Sequence, residues 1–404
     1  MTNEVKNVPQ LRFPNFDGEW EEKQLGDVTK TNQGLQIAIS DRKTKYEKEL
    51  YFYITNEFLR PNSQTKYYIE NPPESVVAEK SDILMTRTGN TGKVITNVEG
   101  AFHNNFFKIK YNKSIIDRLF LFELLKSPKV NNKFLSLAGT STIPDLNHSD
   151  FYSVYISFPT ISEQQKIGEF FSKLDRQIEL GEQKLEKLEE QKKGYMQQIF
   201  SQKLRFKDDN GNYYAEWKEK NLGDISELIT KGTTPKNKVN DGSINFIKVE
   251  NISPINGFIT NTTKITEEEH STYLKRSQLK ENDILFSIAG TLGRVSVVKR
   301  EILPANTNQA LAIIRLNAMN LEYIKTYLTG RAIKRFIANN PTVGAQPNMS
   351  LTQIRDLIIA IPNLTEQEKI GSFFKKIDNS IKKQSDKIWL LKKRKKGFLQ
   401  KMFV

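Results

Sequence analysis

The chain has 404 residues, 37% of them hydrophobic, enough for two or three domains with cores of their own. Lys and Arg number 61 against 47 Asp and Glu, a formal excess of +14 with a pI near 9.4, and the natural partner of such a surface is a polyanion. The absence of Cys excludes disulfides and thiolate chemistry, the three His (His103, His148, His270) do not form a metal-ligand spacing, and no run approaches the roughly 20 apolar residues that cross a bilayer.

The chain opens with Leu11-Arg12-Phe13, Asp17-Gly18, Trp20 and the turn Leu25-Gly26-Asp27. A Gly-containing loop, Gln33–Gln36, and a basic stretch with Arg42, Lys43 and Lys45 lead to a strand signal at Tyr51–Thr55. Asn71-Pro72-Pro73-Glu74 has three residues of an amino-methyltransferase signature and lacks its aromatic fourth. Ser81-Asp82-Ile83-Leu84, Gly89 and Gly92-Lys93-Val94 then mark a hairpin, followed by strand signals at Lys93–Thr96 and Phe106–Lys110 around the polar turn His103-Asn104-Asn105. An amphipathic stretch, Ile115–Lys126, and a polar loop, Gly139–Asn147 with Thr140 and Ser141, complete this segment.

Pro159 stops the strand pattern, and Ser162 is the candidate N-cap of a helix free of Pro. Its seam runs Ile167, Phe171, Leu174, Ile178, Gly181, Leu185, Leu188, Lys192, Tyr195, Ile199, alternately four and three residues apart, a heptad pattern. Counted from Glu163 to Phe200, the helix is about 57 Å long at roughly 1.5 Å per residue. So narrow a seam needs a partner helix.

The same order then returns about 200 residues later, the signature of an internal duplication. Leu204-Arg205-Phe206, Asn210-Gly211, Trp217 and Leu222-Gly223-Asp224 repeat the opening; Lys231-Gly232-Thr233-Thr234-Pro235 stands where the first copy has Gln33–Gln36. Asn282-Asp283-Ile284-Leu285, Gly290 and Gly293-Arg294-Val295 repeat the hairpin, with strand signals at Asn245–Val249, Val295–Lys299 and Ala310–Arg315 and an amphipathic stretch at Leu321–Asn339. Pro362, with Thr365 as candidate cap, opens a second seam of Ile370, Phe374, Ile377, Ile381, Gln384, Ile388, Leu391, Lys395, Phe398 and Met402, broken at the same two points as the first.

Residues 159–200 carry seven basic and eight acidic side chains, residues 362–403 twelve and four. That contrast favours antiparallel pairing, with Gly181 opposite Gln384 and Glu182, Glu186, Glu189 and Glu190 along Lys375, Lys376, Lys382 and Lys383. The alternative is a solvated helix face with an incidental lysine excess. The basic run Lys392–Lys396 suits DNA, an acidic partner surface or solvent. The fold expected is α+β: two mixed α/β domains, 1–158 and 204–361, in pseudo-twofold arrangement, separated by two long antiparallel coiled-coil helices, 159–203 and 362–404.

In its order and its duplication, the chain resembles the specificity subunit of type I restriction-modification systems across essentially its whole length. The carrying residues are Leu-Gly-Asp after Trp (Trp20, Leu25–Asp27; Trp217, Leu222–Asp224), Gly232–Pro235, and Pro-x-x-x-Glu-Gln-x-x-Ile at Pro159–Ile167 and Pro362–Ile370. The resemblance implies that the globular parts are target recognition domains that each grip half of a bipartite, asymmetric site in double-stranded DNA. The paired helices then act as a ruler for the unread spacer and as the docking surface of two methyltransferase subunits, joined by restriction and translocase subunits. S-adenosylmethionine, ATP and Mg are expected on those partners, with no cofactor, metal or catalytic residue in this chain, which is read as cytoplasmic and nucleoid-associated. No Gly-rich fingerprint for S-adenosylmethionine follows a strand, and Gly89–Lys93 lacks the spacing of a phosphate-cradling loop. The rivals are a specificity partner of a fused restriction-methylation enzyme, and a coiled-coil scaffold whose globular parts bind protein.

Comparing the two copies sorts the polar residues: positions alike in both fold the domain or grip phosphate, and positions that differ read bases. Lys93 and Arg294 match and are phosphate candidates. Arg87 faces Ile288, and Arg pairs with guanine bidentately. Asn90 stands against Thr291; His103, Asn104 and Asn105 correspond to the stretch with Asn308 and Gln309, and amides suit adenine's edge. Lys231, Thr233, Thr234 and Lys236 surround the second Gly loop, and Gln346 and Asn348 lie in the loop Gly344–Ser350. The alternative for each is a turn residue that caps its own backbone. Ile167, Phe170, Phe171, Leu174, Ile178, Leu185, Leu188, Ile370, Phe373, Phe374, Ile377, Ile381, Ile388 and Leu391 are read as coiled-coil or partner-subunit contacts rather than as DNA-stacking platforms.

Overall fold

The computed structural model describes residues 7–60, 63–139, 142–236, 242–254, 256–339 and 348–404. The chain divides into two compact units, one made of residues 1–181 and 388–404, the other of residues 182–387. Each unit therefore combines one globular segment with a stretch of both long helices, Ile161–Phe200 and Leu364–Lys401.

In the first unit an antiparallel sheet has the strand order Thr29–Gln33, Phe106–Tyr111, Ile83–Thr86, Val94–Ile95. A second sheet, ordered Tyr67–Ile69, Tyr51–Ile54, Gly100–Phe102, Val77–Ala78, contains one parallel pairing, Tyr53 beside Ala101. Alternation on the central strand decides the core: Phe107 and Ile109 turn to one buried side, Phe106 to the other. A ribbon of Glu21–Gln24 and Tyr155–Phe158 leads into the first long helix.

The second unit repeats this plan. Its antiparallel sheet runs Ser226–Lys231, Leu311–Leu316, Ile284–Ser287, Val295–Val297, and its second sheet runs Thr263–Ile265, Ile244–Ile247, Ala305–Thr307, again with one parallel pair. The fourth strand of that second sheet shrinks to a single bridge, Gln278 to Asn306. Lys218–Asn221 pairs with Ile358–Ile361 before the second long helix.

The Pro-x-x-x-Glu-Gln motif fastens each long helix to its domain. Glu163, buried, receives the Arg12 guanidinium at 2.7 Å, and Glu366 receives that of Arg205 at 2.8 Å together with the Trp217 indole at 3.0 Å. Gln164 accepts from the backbone N–H of Asp117 and donates to the Pro159 carbonyl; Gln367 does the same with Asn320 and Pro362. The following glycines, Gly168 and Gly371, lie where a Cβ would overlap the capped start of the helix Arg118–Lys126 or Leu321–Leu328. The helices begin two residues before the sequence expectation, and the caps are Thr160 and Asn363 rather than Ser162 and Thr365. Thr160 Oγ1 accepts from the N–H of Glu163 at 3.4 Å, and Asn363 Oδ1 from that of Glu366 at 2.8 Å.

Within each unit the two helix stretches pack against each other. In the first, Phe171 stacks on Phe403 at 5.8 Å and Phe170 meets Phe398 at 5.1 Å; in the second, Phe200 stacks on Phe374 at 5.9 Å and Tyr195 meets Phe373 at 5.1 Å. These contacts pair the end of one helix with the start of the other, the antiparallel sense expected. Ile167, Leu174, Ile178, Ile370, Ile381 and Ile388 are buried, and Phe170, Leu185, Leu188, Phe373, Ile377 and Leu391 are half-buried, so the seam is core. The second break of each seam carries an ion pair between the helices: Lys192 with Asp378 at 2.6 Å, Lys395 with Asp175 at 2.6 Å. Lys375, expected along the glutamates of the first helix, pairs instead with Glu322 at 3.6 Å.

The amphipathic stretch Leu321–Asn339 is two helices, Leu321–Leu328 and Arg331–Asn339, separated by Gly330, whose N–H closes a tight turn onto the Tyr327 carbonyl. The first copy breaks at the matching place because Pro128 starts a new helix, Pro128–Leu137, beyond the amphipathic stretch Ile115–Lys126.

Candidate nucleic-acid interface

Strand register gathers the sequence-predicted polar residues at one sheet end in each unit. In the first, Gln33 stands opposite Phe107, Thr86 opposite Phe106 and Met85 opposite Val94. The loop after Gln33, the turn 103–105 and the hairpin loop 87–93 therefore emerge side by side. In the second, Lys231 opposite Ala312, Ser287 opposite Leu311 and Phe286 opposite Val295 bring the corresponding three loops together. At the other end the central strands, Phe106–Tyr111 and Leu311–Leu316, run toward the helices that hold the Glu-Gln motif.

The hairpin loops share one internal scaffold. The Thr86 hydroxyl donates to the Asn90 carbonyl at 2.5 Å and accepts from the Lys93 N–H at 2.9 Å; Ser287 does the same with Thr291 at 2.6 Å and Arg294 at 2.7 Å. Gly89, Gly92, Gly290 and Gly293 all hold positive φ there. The matched cations are tied to backbone carbonyls: Lys93 Nζ donates to Leu59 O at 3.1 Å, and Arg294 Nη1 to Val249 O at 3.1 Å and Ile252 O at 2.8 Å. Their shared charge thus has a structural use in the turn that follows each parallel strand.

Arg87 is similarly committed. Its guanidinium pairs with Asp145 at 2.7 Å, donates to the Leu146 carbonyl at 3.3 Å and lies 5.7 Å over the Phe107 ring, with 17% of the side chain exposed. The second copy has Ile288 and Asn348 at these places: Thr88 bridges Asp145 as Ala289 bridges Asn348. Arg87 and its partner therefore change together between the copies. Asn90 is exposed at the loop tip. Gln346, Thr140 and Ser141 lie outside the described residues.

The Gly loops are equivalent despite their unlike sequences. Gly34 N–H donates to Phe106 O and Leu35 N–H to Phe102 O; Gly232 N–H donates to Leu311 O and Thr233 N–H to Thr307 O. A Cβ at either glycine would overlap the carbonyl oxygens of the facing turn, so only glycine fits. This pairing aligns the turn 103–105 with 308–310 and leaves Asn306 as a buried strand residue.

At the rim of these loops the copies diverge. In the first, Asn104 Nδ2 donates to Gln36 Oε1 at 2.9 Å, while the Asn105 carbonyl accepts from Arg87 N–H at 2.7 Å, a backbone bond that the second copy keeps between Ile288 N–H and the Ala310 carbonyl at 2.9 Å. His103, packed 5.7 Å from Tyr53, has its pKa lowered by burial and then by Arg42, whose guanidinium is held by the Ile37 carbonyl and the rings of Tyr53 and Tyr67. In the second, Thr234 is hydrogen-bonded to Gln309, Thr233 Oγ1 accepts from Arg276 Nη2 at 3.2 Å, and Lys236 Nζ lies 4.4 Å over the Tyr273 ring. Asn308 Oδ1 caps the Ala310 N–H, the role of a turn residue, and Lys231 is exposed at its strand's end. Gln36, Asp145, Tyr273 and Arg276 join the candidate site only through the structure. Gln36 and Asp145 sit in loops already marked, and comparing Arg276 with its counterpart Ser75 was the signal available.

Among the described residues no group of His, Asp or Glu side chains is arranged to hold a metal ion, and no helix is long and apolar enough to cross a membrane.

The model of the type I restriction modification DNA specificity domain matches this chain twice, over residues 17–190 and 214–388. The chain is 23% identical over 405 residues to the type I restriction enzyme MjaVIII specificity subunit of Methanocaldococcus jannaschii, covering 97% of this chain and 93% of the relative. It is 22% identical to the type I restriction enzyme EcoBI specificity subunit of Escherichia coli, covering 78% and 70%. Among solved structures, the S subunit of a type I restriction-modification system from M. genitalium superposes with a TM-score of 0.65 at 17% identity, over 98% of this chain and 99% of that one.

Proposed function

The chain belongs to the type I restriction-modification DNA specificity family and is a non-catalytic specificity subunit of such a system, and from that premise we propose that it recognises a bipartite, asymmetric site in double-stranded DNA, each repeat reading one half. The observation that carries this reading is one folding plan occurring twice, with the same sheet end bearing loops whose polar rims differ. Equal scaffolds with unlike rims suit two readers of unlike sequences. Linking them in one chain makes the second contact intramolecular, so two modest binders act as one strong one.

We assign the methylation and cleavage chemistry to partner subunits. Two methyltransferase subunits, docked on the long helices, would carry S-adenosylmethionine and methylate adenine; restriction and translocase subunits would bring ATP and Mg. The setting proposed is the cytoplasm, at the nucleoid. Methylation-sensitive sequencing of the host genome, with and without this gene, tests the reading. A two-part motif with methylated adenines is expected to vanish with the gene, and an unchanged pattern would sink it.

A further inference from the structure

We propose that Arg276, with Thr233 and Gln309 beside it, is a base-reading residue of the second repeat and takes a guanine in that repeat's half-site, where the first repeat, with Ser75, reads differently. The inference deepens the DNA-recognition reading above and rests on it.

Arg276 lies on the short turn Lys275–Ser277, the counterpart of Glu74–Val76 in the first unit. The equivalence is structural: Val77–Ala78 pairs with the strand Gly100–Phe102, and Gln278 bridges Asn306 of the matching strand. The turn is anchored from below. Asn306, fully buried, donates through Nδ2 to the Leu274 carbonyl at 2.9 Å and the Ser277 hydroxyl at 3.1 Å, and Gln278 Nε2 donates to the His270 carbonyl at 2.8 Å. The same strand runs on into Asn308 and Gln309, so the turn bearing Arg276 and the predicted polar turn share one rigid support.

The arginines divide by what holds them. The guanidiniums of Arg87 and Arg294 are held by a carboxylate and by backbone carbonyls, as described above. Arg276 is exposed, and of the five N–H groups of its guanidinium the structure gives Nη2 a partner, a neutral hydroxyl. Its neighbours are DNA-compatible on three counts: a cation over an aromatic ring (Lys236, Tyr273), an exposed amide (Gln309) and the cation Lys275 in the same turn. A guanidinium presents the two-donor fork that matches guanine O6 and N7, and such a pair discriminates strongly against the wrong base. Ser75 has no such fork, and its neighbour Glu74 reverses the charge of Lys275.

The test uses the full chain assembled with its methyltransferase subunit and a duplex library randomised over the recognised site, with methylation read by sequencing. The half-site of the second repeat is the one that persists when residues 1–158 are exchanged for those of another specificity subunit. Arg276→Ala is expected to lose tenfold or more of the preference for guanine at one position of that half, with the other half and the melting temperature unchanged. Arg276→Lys is expected to keep part of it, and Ser75→Arg to alter the first half alone. A wild-type motif that persists intact in Arg276→Ala, or equal loss in both halves, overturns the inference. A wild-type complex that methylates no two-part motif overturns the functional reading beneath it instead.

Discussion

Gly34 and Gly232 stand in loops that share only their glycine, yet both loops run so close to the next turn that a methyl group has no room. The first loop was therefore unreadable from its neighbours: its sequence departs from Gly-Thr-Thr-Pro, and the constraint is a backbone approach formed by residues far along the chain. Arg87 was legible as a position that differs between copies, but not its engagement with Asp145, because that partner also differs and the two are distant in sequence. His148 shows the same limit. Its Nδ1 lies 2.6 Å from the Thr31 hydroxyl and its ring 4.5 Å from Phe107, and burial, then Arg87, lowers its pKa, as burial and Arg42 lower that of His103. A histidine whose pKa falls on folding takes up its proton in the unfolded chain first, so stability is complete above the ordinary value of 6.5 and declines as pH drops below it. Thermal melts at about pH 7.5 and about pH 5.5 should show a lower midpoint in acid. The drop should shrink in the His103→Gln, His148→Gln double variant, and an undiminished drop there would assign the effect to other groups.

Among the elements, the long helices were the most legible, because a seven-residue period sustained over ten seam positions leaves no competing structure. The short strands were the least. Lys218–Asn221 is wholly exposed and polar and is a strand only because Ile358–Ile361 offers it an edge, a fact of tertiary pairing. The breaks in the seam became intelligible only with partners. Lys395 is buried; that desolvation opposes its charge, but Glu123 at 3.1 Å and Asp175 at 2.6 Å outweigh it and hold its pKa above the usual lysine value. Removing one member of a buried ionic group leaves the others uncompensated. Since Lys126 still reaches Glu123 and Asp175 is 42% exposed, the cost of Lys395→Met falls below the roughly 3–5 kcal/mol of a fully buried pair, at about 2 kcal/mol. Chemical denaturation should register that loss, while Lys393→Met, on the exposed face beside Trp389, should change stability by less than about 0.5 kcal/mol.

At the scale of the molecule, duplication was the strongest signal in the sequence, since the order of weak motifs, twice over, is far more specific than any one of them. What it did not disclose is the division of labour among cations: several of the most conspicuous serve their own backbone, while the net excess of +14 belongs to the surface as a whole. Binding to non-specific duplex should therefore be steeply salt-dependent, because each phosphate neutralised releases a counterion. Six or more such contacts would weaken affinity by about a thousandfold between roughly 50 and 200 mM salt. A titration by fluorescence anisotropy that came out nearly flat would place the excess charge away from DNA.

Met402 and Phe403 are buried in the first unit's core, where Phe403 meets both Phe120 and Phe171. During translation that core waits for side chains encoded far downstream, so the first globular segment is finished by residues made after the whole of its twin. A premature stop or a frameshift near residue 400 is thus felt first around Phe120 and Phe171, far back along the chain. A chain cut short before residue 402 lacks an aromatic plug for a core built from residues almost three hundred positions earlier, around Phe120.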